Sequence, residues 1–268
     1  MKYAWRSLFF AVTIILSGCA AVPMTGRSQL SLVDNDEIFP MSFKQYEQVK
    51  SENKVIKGTT ESQMIEEVGV RMQVAVEKYF ENEGKSEYLD GYAWEFNLIE
   101  NDETVNAWCM PGGKVVFYTG ILPICENEEG IAVVMGHEIA HAIANHGRER
   151  MSQQKMSNVG LTALAVVLGV GGGSAITNEM IMQSAGAATS LGILKFSRKH
   201  ESEADKMGLF FMAMAGYDPE EAPEFWERMT SGDGQSPPEF ISTHPSHDTR
   251  IKDLNKNMQE ALTYYHAH

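Results

Sequence analysis

A short pattern in the middle of the chain, His137-Glu138-x-x-His141, combines two imidazoles with a carboxylate. On a helix, residues i and i+4 lie one turn apart on the same face, so both histidines present a nitrogen to one point, as tetrahedral Zn²⁺ requires. Glu138 stands one position from the first ligand, and its carboxylate therefore reaches a water molecule beside the metal rather than the metal itself. The pattern predicts a general base next to a Lewis acid, which is the chemistry of a zinc hydrolase.

The helix that must carry this pattern is predicted from Ile131 to His146, with Asn127 as its N-cap and Gly147 as its terminator. Apart from the pattern itself, its residues are almost all Ala, Val, Ile or Met, which indicates a helix buried on most sides. Two histidines and a glutamate would be costly to bury there without a metal. This cost favours a metal site over two ordinary core histidines.

A zinc hydrolase of this type needs a third protein ligand and leaves the fourth position open. Metzincins carry the third ligand, a histidine, at the position of Gly147, so that scheme is excluded. A later helix, predicted from Ser197 to Ala215, offers Glu201 and Glu203, which stand about 200° apart around the helix, so only one of them can face the metal. Asp205 shares the face of Glu201 and would orient a ligating histidine or transfer a proton, with a plain surface acid as the alternative.

These motifs together resemble metallopeptidase family 48, in its periplasmic lipoprotein branch. The residues that carry the resemblance are His137-Glu-Ile-Ala-His141, Ser197-Arg-Lys-His-Glu201-Ser-Glu203-Ala-Asp205, the leader Val22–Leu30, Asn106-Ala107 with Pro111-Gly112-Gly113, and Ser242-Thr-His244-Pro with Arg250. The resemblance implies that Glu201 is the third ligand and that one Zn²⁺ binds per chain. It also implies an α+β, mainly helical zincin (gluzincin) domain with a small antiparallel sheet whose edge strand borders the active-site cleft.

Four further residues are expected at the cleft. Asn106 and Ala107 are predicted on the edge strand above the zinc, where a sheet edge can pair with an extended peptide. His244 and Arg250 are expected nearby, where either could stabilise the oxyanion. A displaceable fourth ligand is a second possibility for His244, and a capping histidine and a surface arginine are the structural alternatives. No role is assigned to the other histidines.

The remaining elements follow from periodicity. Helices are predicted at 35–55 and 60–83, strands at 94–99, 106–108 and 114–119, and later helices from Asp218-Pro219 and from His247 to Tyr264. Residues 175–192 have helical character, and Pro237-Pro238 indicates a loop. The apolar segment 159–173 is predicted to be a buried or surface-lying helix, with a membrane span as the alternative.

The N-terminus predicts a targeting segment. A basic start and a short apolar stretch end in Leu16-Ser17-Gly18-Cys19, which resembles a lipobox, so residues 1–18 are expected to be a lipoprotein signal peptide. Cys19 would carry lipid and tether the leader and first helix (19–55) and the catalytic domain (56–268) to a bacterial envelope membrane, facing the periplasm. The outer membrane is favoured over the inner. Cys109 and Cys125 could form a disulfide or remain two buried thiols.

The composition of the chain argues against some classes of function. The net charge of −14 over 268 residues offers no basic face to phosphates and argues against a nucleic-acid partner. We therefore predict a zinc metalloendopeptidase of the bacterial cell envelope that hydrolyses unfolded or misassembled proteins. The competing predictions are a non-proteolytic, chaperone-like or binding lipoprotein that contains zinc, and a membrane-embedded prenyl-type protease. The intact base Glu138 argues against the first of these. The oligomeric state is left open.

Overall fold

The computed structural model describes residues 19–167, 196–230, 240, 244 and 249–265, without the side chains of 158–167. Its helices are α1 (Asn35–Glu52), α2 (Thr60–Asn82), α3 (Leu122–Cys125), α4 (Glu128–Ile143), α5 (His146–Val167), α6 (Arg198–Met214), α7 (Glu221–Thr230) and α8 (Arg250–Tyr265). Its strands are β1 (Cys19–Ala21), β2 (Ser28–Leu30), β3 (Val55–Ile56), β4 (Glu95–Ile99), β5 (Ala107–Met110) and β6 (Lys114–Tyr118). The mainly helical α+β class is confirmed. The predictions for 1–18, 175–192 and Pro237-Pro238 lie outside the described residues.

Helix α2 follows its sequence pattern closely. Thr59 and Ser62 form a capping box at its start, which satisfies backbone N–H groups of the first turn. Its residues at three- and four-residue steps, including Ile65, Val68 and Met72, are buried in the main core. Helix α2 therefore packs its apolar stripe against the sheet and the central helices.

The larger sheet has the strand order β3-β4-β6-β5. Residues Pro111 to Gly113 turn β5 back onto β6, and Gly112 and Gly113 have φ of 87° and 82°, which favour glycine. The almost fully buried β6 takes the inner place beside β4, and β5 becomes one of the two edge strands. The β4–β6 pair is parallel, whereas the β3–β4 and β5–β6 pairs are antiparallel as expected. The sheet is thus mixed rather than antiparallel throughout.

Helix α4 crosses the centre of the core. The Asn127 side chain accepts a hydrogen bond from the Gly130 N–H and caps the helix as predicted. The helix ends earlier than predicted, at Ile143, because Asn145 adopts a left-handed φ of 56° and turns the chain into α5. The prediction that Gly147 ends the helix is therefore wrong, since Gly147 lies inside α5.

Helices α4 and α6 cross at unusually close range. A Cβ built on Gly208 would lie 2.7 Å from the backbone nitrogen of His137, and one on Gly136 would lie 2.7 Å from the carbonyl oxygen of Gly208. Only glycine permits this approach. The contact fixes how α6 is rotated against the helix that carries the two histidines.

The leader forms a hairpin of β1 and β2, and residues 19–30 are called the leader hairpin below. Val22 is buried in the same cluster as the α2 stripe, so the hairpin packs onto the main core. The division of the chain at residue 55 stays a prediction.

Two open sequence questions concern the cysteines and the apolar segment. All the cysteines are free, with Cys109 half-buried and Cys125 buried, so these two remain separate thiols. Residues 159–167 continue α5, and the rest of the 159–173 prediction lies outside the described residues. Among the residues that the structure describes, none of the helices has the length and apolar character needed to span a bilayer.

Candidate metal centre and active site

The two histidines of the pattern meet as predicted. His137 and His141 lie one turn apart on α4, and their Nε2 atoms are 3.0 Å apart. Two nitrogens bound to one Zn²⁺ at 2.0–2.1 Å in tetrahedral geometry are separated by roughly 3.3 Å. Both side chains are only 2 % exposed. The pair is therefore close to the arrangement that a single cation requires.

Glu201 completes the set from α6. Its carboxylate oxygens lie 3.5 Å from the Nε2 of His137 and 3.5 Å from the Nε2 of His141. Together with His244, these residues offer four ligand atoms within 4.8 Å of one another, all buried. Within the described residues, Glu201 Oε1 is buried without a hydrogen-bond partner, which is the state of an atom that a cation would satisfy. The donor set of imidazoles and a carboxylate fits zinc.

Glu138 lies beside this cluster and next to the edge strand. Its Oε1 is 3.5 Å from the Nε2 of His244, and the backbone N–H of Cys109 on β5 donates to the carboxylate. Burial raises the pKa of Glu138 to about 8, and this rise exceeds the opposing effect of the nearby His137. The side chain is thus placed to accept and hold a proton near neutral pH.

Asp205 and Arg250 support the cluster from behind. An oxygen of Asp205 lies 2.9 Å from the Nδ1 of His137, on the side of the ring away from Glu201. Arg250 donates from Nε to Asp205 at 2.7 Å and from Nη2 to Glu201 at 2.8 Å, and its guanidinium stacks 3.7 Å from the ring centroid of Trp226. Arg250 is 2 % exposed, so it is not a surface residue. Its observed contacts are with carboxylates, and the oxyanion role stays a prediction.

The rings of His137 and His141 differ in their electrostatics. Burial alone would lower the pKa of His137, but the adjacent Asp205 and Glu201 outweigh burial and raise it to about 9. Burial and the neighbouring ring of His137 lower the pKa of His141 well below its usual value. Because a ring nitrogen must be deprotonated to bind a metal, cation binding here would compete with protonation of His137.

Asn106 and Ala107 stand at the start of the edge strand. Asn106 is 6 % exposed, and its side-chain oxygen accepts from the Ala107 N–H at 2.9 Å, while its carbonyl accepts from the Tyr118 N–H. These contacts fix where β5 begins. The structure thus brings the predicted site residues to one region, with Asn106 and Ala107 on the strand that also contacts Glu138.

The rival carboxylate Glu203 faces away from the cluster. It accepts hydrogen bonds from the His146 ring at 2.9 Å and from Arg27 of the leader hairpin at 2.7 Å. Burial would raise its pKa, but these bonds and one from Thr25 outweigh burial and lower the pKa to about 2. Sequence reasoning missed this network. The available signal was the pair of polar residues, His146 and Glu203, that the metal scheme left unused.

Comparison with known proteins identifies the family. The model of Peptidase family M48 matches residues 71–258, more than half of the chain. The chain is 36 % identical over 204 residues to mitochondrial metalloendopeptidase OMA1 of Saccharomyces cerevisiae, which covers 72 % of this chain and 55 % of that protein. It is 38 % identical over 171 residues to OMA1 of Schizosaccharomyces pombe (63 % and 48 %) and 31 % identical over 176 residues to the beta-barrel assembly-enhancing protease of Escherichia coli (62 % and 35 %). The aligned region thus spans about half the length of these relatives or less.

These findings confirm the family resemblance and support the metallopeptidase class. They overturn the predicted localisation. The bacterial-envelope assignment with a lipid anchor depends on the few residues before Cys19, whereas the similarity to mitochondrial metalloendopeptidases from yeast and fission yeast extends over most of the chain. The prediction of a lipid-anchored envelope protein facing the periplasm is therefore wrong.

Proposed function

The chain belongs to Peptidase family M48, and we propose that it is a zinc-dependent metalloendopeptidase that cleaves unfolded or misassembled polypeptides. The observation that carries this proposal is the convergence of His137, His141 and Glu201 beside the buried carboxylate of Glu138. A binding protein that holds zinc for structure has no need of such a base.

In this proposal the two histidines and Glu201 hold Zn²⁺. When bound, the ion would supply Lewis-acid chemistry at the scissile carbonyl and at a nearby water molecule. Glu138 takes the proton from the attacking water and later passes it to the leaving amine. Its position beside the cluster suits both steps, because one carboxylate can accept the proton from water and later return it to the amine.

The remaining residues would orient the metal ligands or bind the substrate. Asp205 holds the Nδ1 side of His137, and Arg250 holds Asp205 and Glu201 in place. We propose that His244, whose ring nitrogen lies among the ligand atoms, would be a further ligand to the ion. The edge strand β5, starting at Ala107, would pair with an extended substrate segment through main-chain hydrogen bonds, which demands little of the substrate sequence.

Digestion of denatured casein tests the proposal, with zinc content measured on the same samples. Wild type is expected to cut, and Glu138→Gln is expected to bind zinc but lose at least a hundredfold in rate, because its amide cannot accept the proton. Glu129→Gln, a glutamate in the first turn of the same helix, is the matched control and should cut like wild type. Equal cutting by wild type and Glu138→Gln, or no cutting by zinc-loaded wild type, would contradict the protease and favour a chaperone-like binding role.

A further inference from the structure

The leader hairpin reaches the carboxylate that the metal cluster does not use. Arg27 Nε donates to Glu203 Oε2 at 2.7 Å, and the Thr25 hydroxyl donates to the other oxygen of the same carboxylate. The two terminal nitrogens of Arg27 form a fork on Glu149, at 3.1 and 2.8 Å. The Glu203 side chain is 6 % exposed, so its position is set by these partners rather than by solvent. The hairpin therefore holds Glu203 from the outside.

From Glu203 a chain of two rings leads to a metal ligand. His146 Nε2 lies 2.9 Å from Glu203 Oε2, and His146 Nδ1 lies 2.9 Å from the Nδ1 of His141. His141 faces Glu201 with its Nε2, so a neutral ring that binds a cation there carries its proton on Nδ1. The protons then have one consistent direction: His141 donates to His146, and His146 donates to Glu203.

We propose that the leader hairpin is a positioning element of the metal centre and sets its metal affinity. Arg27 and Thr25 fix Glu203. Glu203 fixes the ring of His146, which in turn fixes the orientation and the tautomer of His141. A partner of this kind on the outer nitrogen of a ligating histidine makes the ring more basic, and its loss lowers metal affinity about 10- to 100-fold. The inference rests on the proposed function, because it assumes a cation at the His137, His141 and Glu201 cluster.

The same network distinguishes the two ligating histidines. The ring of His137 contacts the carboxylate of Asp205 directly, whereas the ring of His141 is linked to a carboxylate only through the ring of His146. His146 is fully buried and stacks 4.3 Å from the ring of His200 at an angle of 21°, which leaves it little freedom to turn. An intervening ring so confined transmits the position of Glu203 to His141.

The test is the zinc affinity of the full chain, measured by competition with a chromophoric chelator, together with the visible spectrum of the cobalt-substituted protein. Glu203→Gln removes the charge at constant shape and is expected to raise the Kd for zinc about 10- to 100-fold and to alter the cobalt spectrum. Arg27→Lys keeps the charge but loses the planar fork. Thr25→Val removes a single hydroxyl. Both are expected to raise Kd by smaller factors, with Thr25→Val the smallest.

Lys50→Met is the matched control. Lys50 pairs with Glu95 at 2.7 Å and is 21 % exposed, similar to Arg27 at 25 %, but its ion-pair partners Glu47 and Glu95 belong to neither the network nor the metal cluster. It should lower the unfolding temperature of the metal-free protein without changing Kd. A wild-type Kd and cobalt spectrum in folded Glu203→Gln and Arg27→Lys would overturn the inference.

A folding failure of Glu203→Gln and a failure of the proposed function can both be told apart from a failure of the inference. If Glu203→Gln fails to fold, unchanged zinc affinity in Arg27→Lys and Thr25→Val overturns the inference, and a raised Kd in both supports it. If the wild-type chain binds no zinc, the proposed function fails, and the inference fails with it. If wild type binds zinc and the variants match it, the inference alone fails.

Discussion

The close crossing of α4 and α6 predicts a sharp effect of a single methyl group at Gly208. In Gly208→Ala the new Cβ would lie 2.7 Å from the His137 backbone nitrogen and 2.8 Å from the Gly136 carbonyl carbon. Ordinary contact begins near 3.4 Å, and because the neighbours are backbone atoms, the helices must separate by about 0.7 Å. Metal–ligand distances in a formed site stay within about 0.2 Å of their ideal values. The substitution therefore moves Glu201 out of reach of a cation held by the two histidines.

The expected magnitudes follow from this overlap. Overpacking costs about 1 to 3 kcal/mol, which lowers the unfolding temperature by roughly 2 to 10 °C for a chain of this size. The Kd for zinc should rise at least tenfold, in line with the loss of ligand geometry. Chelator competition and thermal unfolding with and without zinc measure the two effects. The thermal shift that zinc produces should also shrink, since ligand stabilisation depends on affinity.

Gly147→Ala is the control, because its Cβ would meet only Pro111 at 3.9 Å and Gly147 also lies within a helix. Alanine there should leave zinc affinity unchanged and add up to about 1 kcal/mol of stability. Wild-type zinc affinity in Gly208→Ala would refute the reasoning. It would mean that the distance between the two helices does not determine the geometry of the metal cluster.

Three further predictions concern the surroundings of the site. Asp205→Asn should raise the Kd for zinc about 10- to 100-fold in chelator competition, because the amide cannot hold the Nδ1 proton of His137 as a carboxylate does; an unchanged Kd would count against this role. Arg250→Met should lower the free energy of unfolding of the metal-free chain in urea by about 3 to 5 kcal/mol, because two buried carboxylates lose their partner. Arg250→Lys should have a stability between those of wild type and Arg250→Met, and equal stability of the three proteins would contradict the prediction. A reductant should leave the unfolding temperature unchanged, because Cys109 and Cys125 are free. A thiol reagent should detect three thiols in the unfolded chain, and detection of one would show a disulfide.

The candidate metal site was largely predictable from the sequence because two of its residues lie on one helix. The spacing of His137 and His141 determines their geometry without any knowledge of the tertiary structure. The choice between Glu201 and Glu203 is different, since it depends on how α6 is rotated against α4. That rotation is set by the contact between Gly136 and Gly208, two residues that are far apart in the sequence. Spacing alone leaves the choice open, and only the family resemblance pointed to Glu201.

The errors in the fold also have tertiary causes. Gly147 is the better helix terminator by intrinsic preference, but Asn145 takes the left-handed conformation, where its side chain also contacts the Tyr88 hydroxyl. Strand alternation cannot reveal that β6 lies beside β4, because strand order depends on which strand is buried deepest. The docking of the leader also depends on a tertiary contact, because Arg27 anchors it to two buried carboxylates.

The two histidines of the candidate metal site are thus supported by elements from opposite ends of the described chain. Arg250 on α8 holds Asp205 behind His137, and Arg27 on the leader hairpin holds Glu203 behind His146 and His141. Each arginine neutralises carboxylates that burial alone would make costly, so each element is required for the site to be both buried and charged. Metal binding must in turn stabilise the docking of both elements, because any ligand that prefers the assembled site shifts the equilibrium toward it. Zinc should therefore protect the backbone amides of the leader hairpin, such as the Gly26 N–H that donates to Val22, from hydrogen exchange, even though the hairpin contributes no ligand.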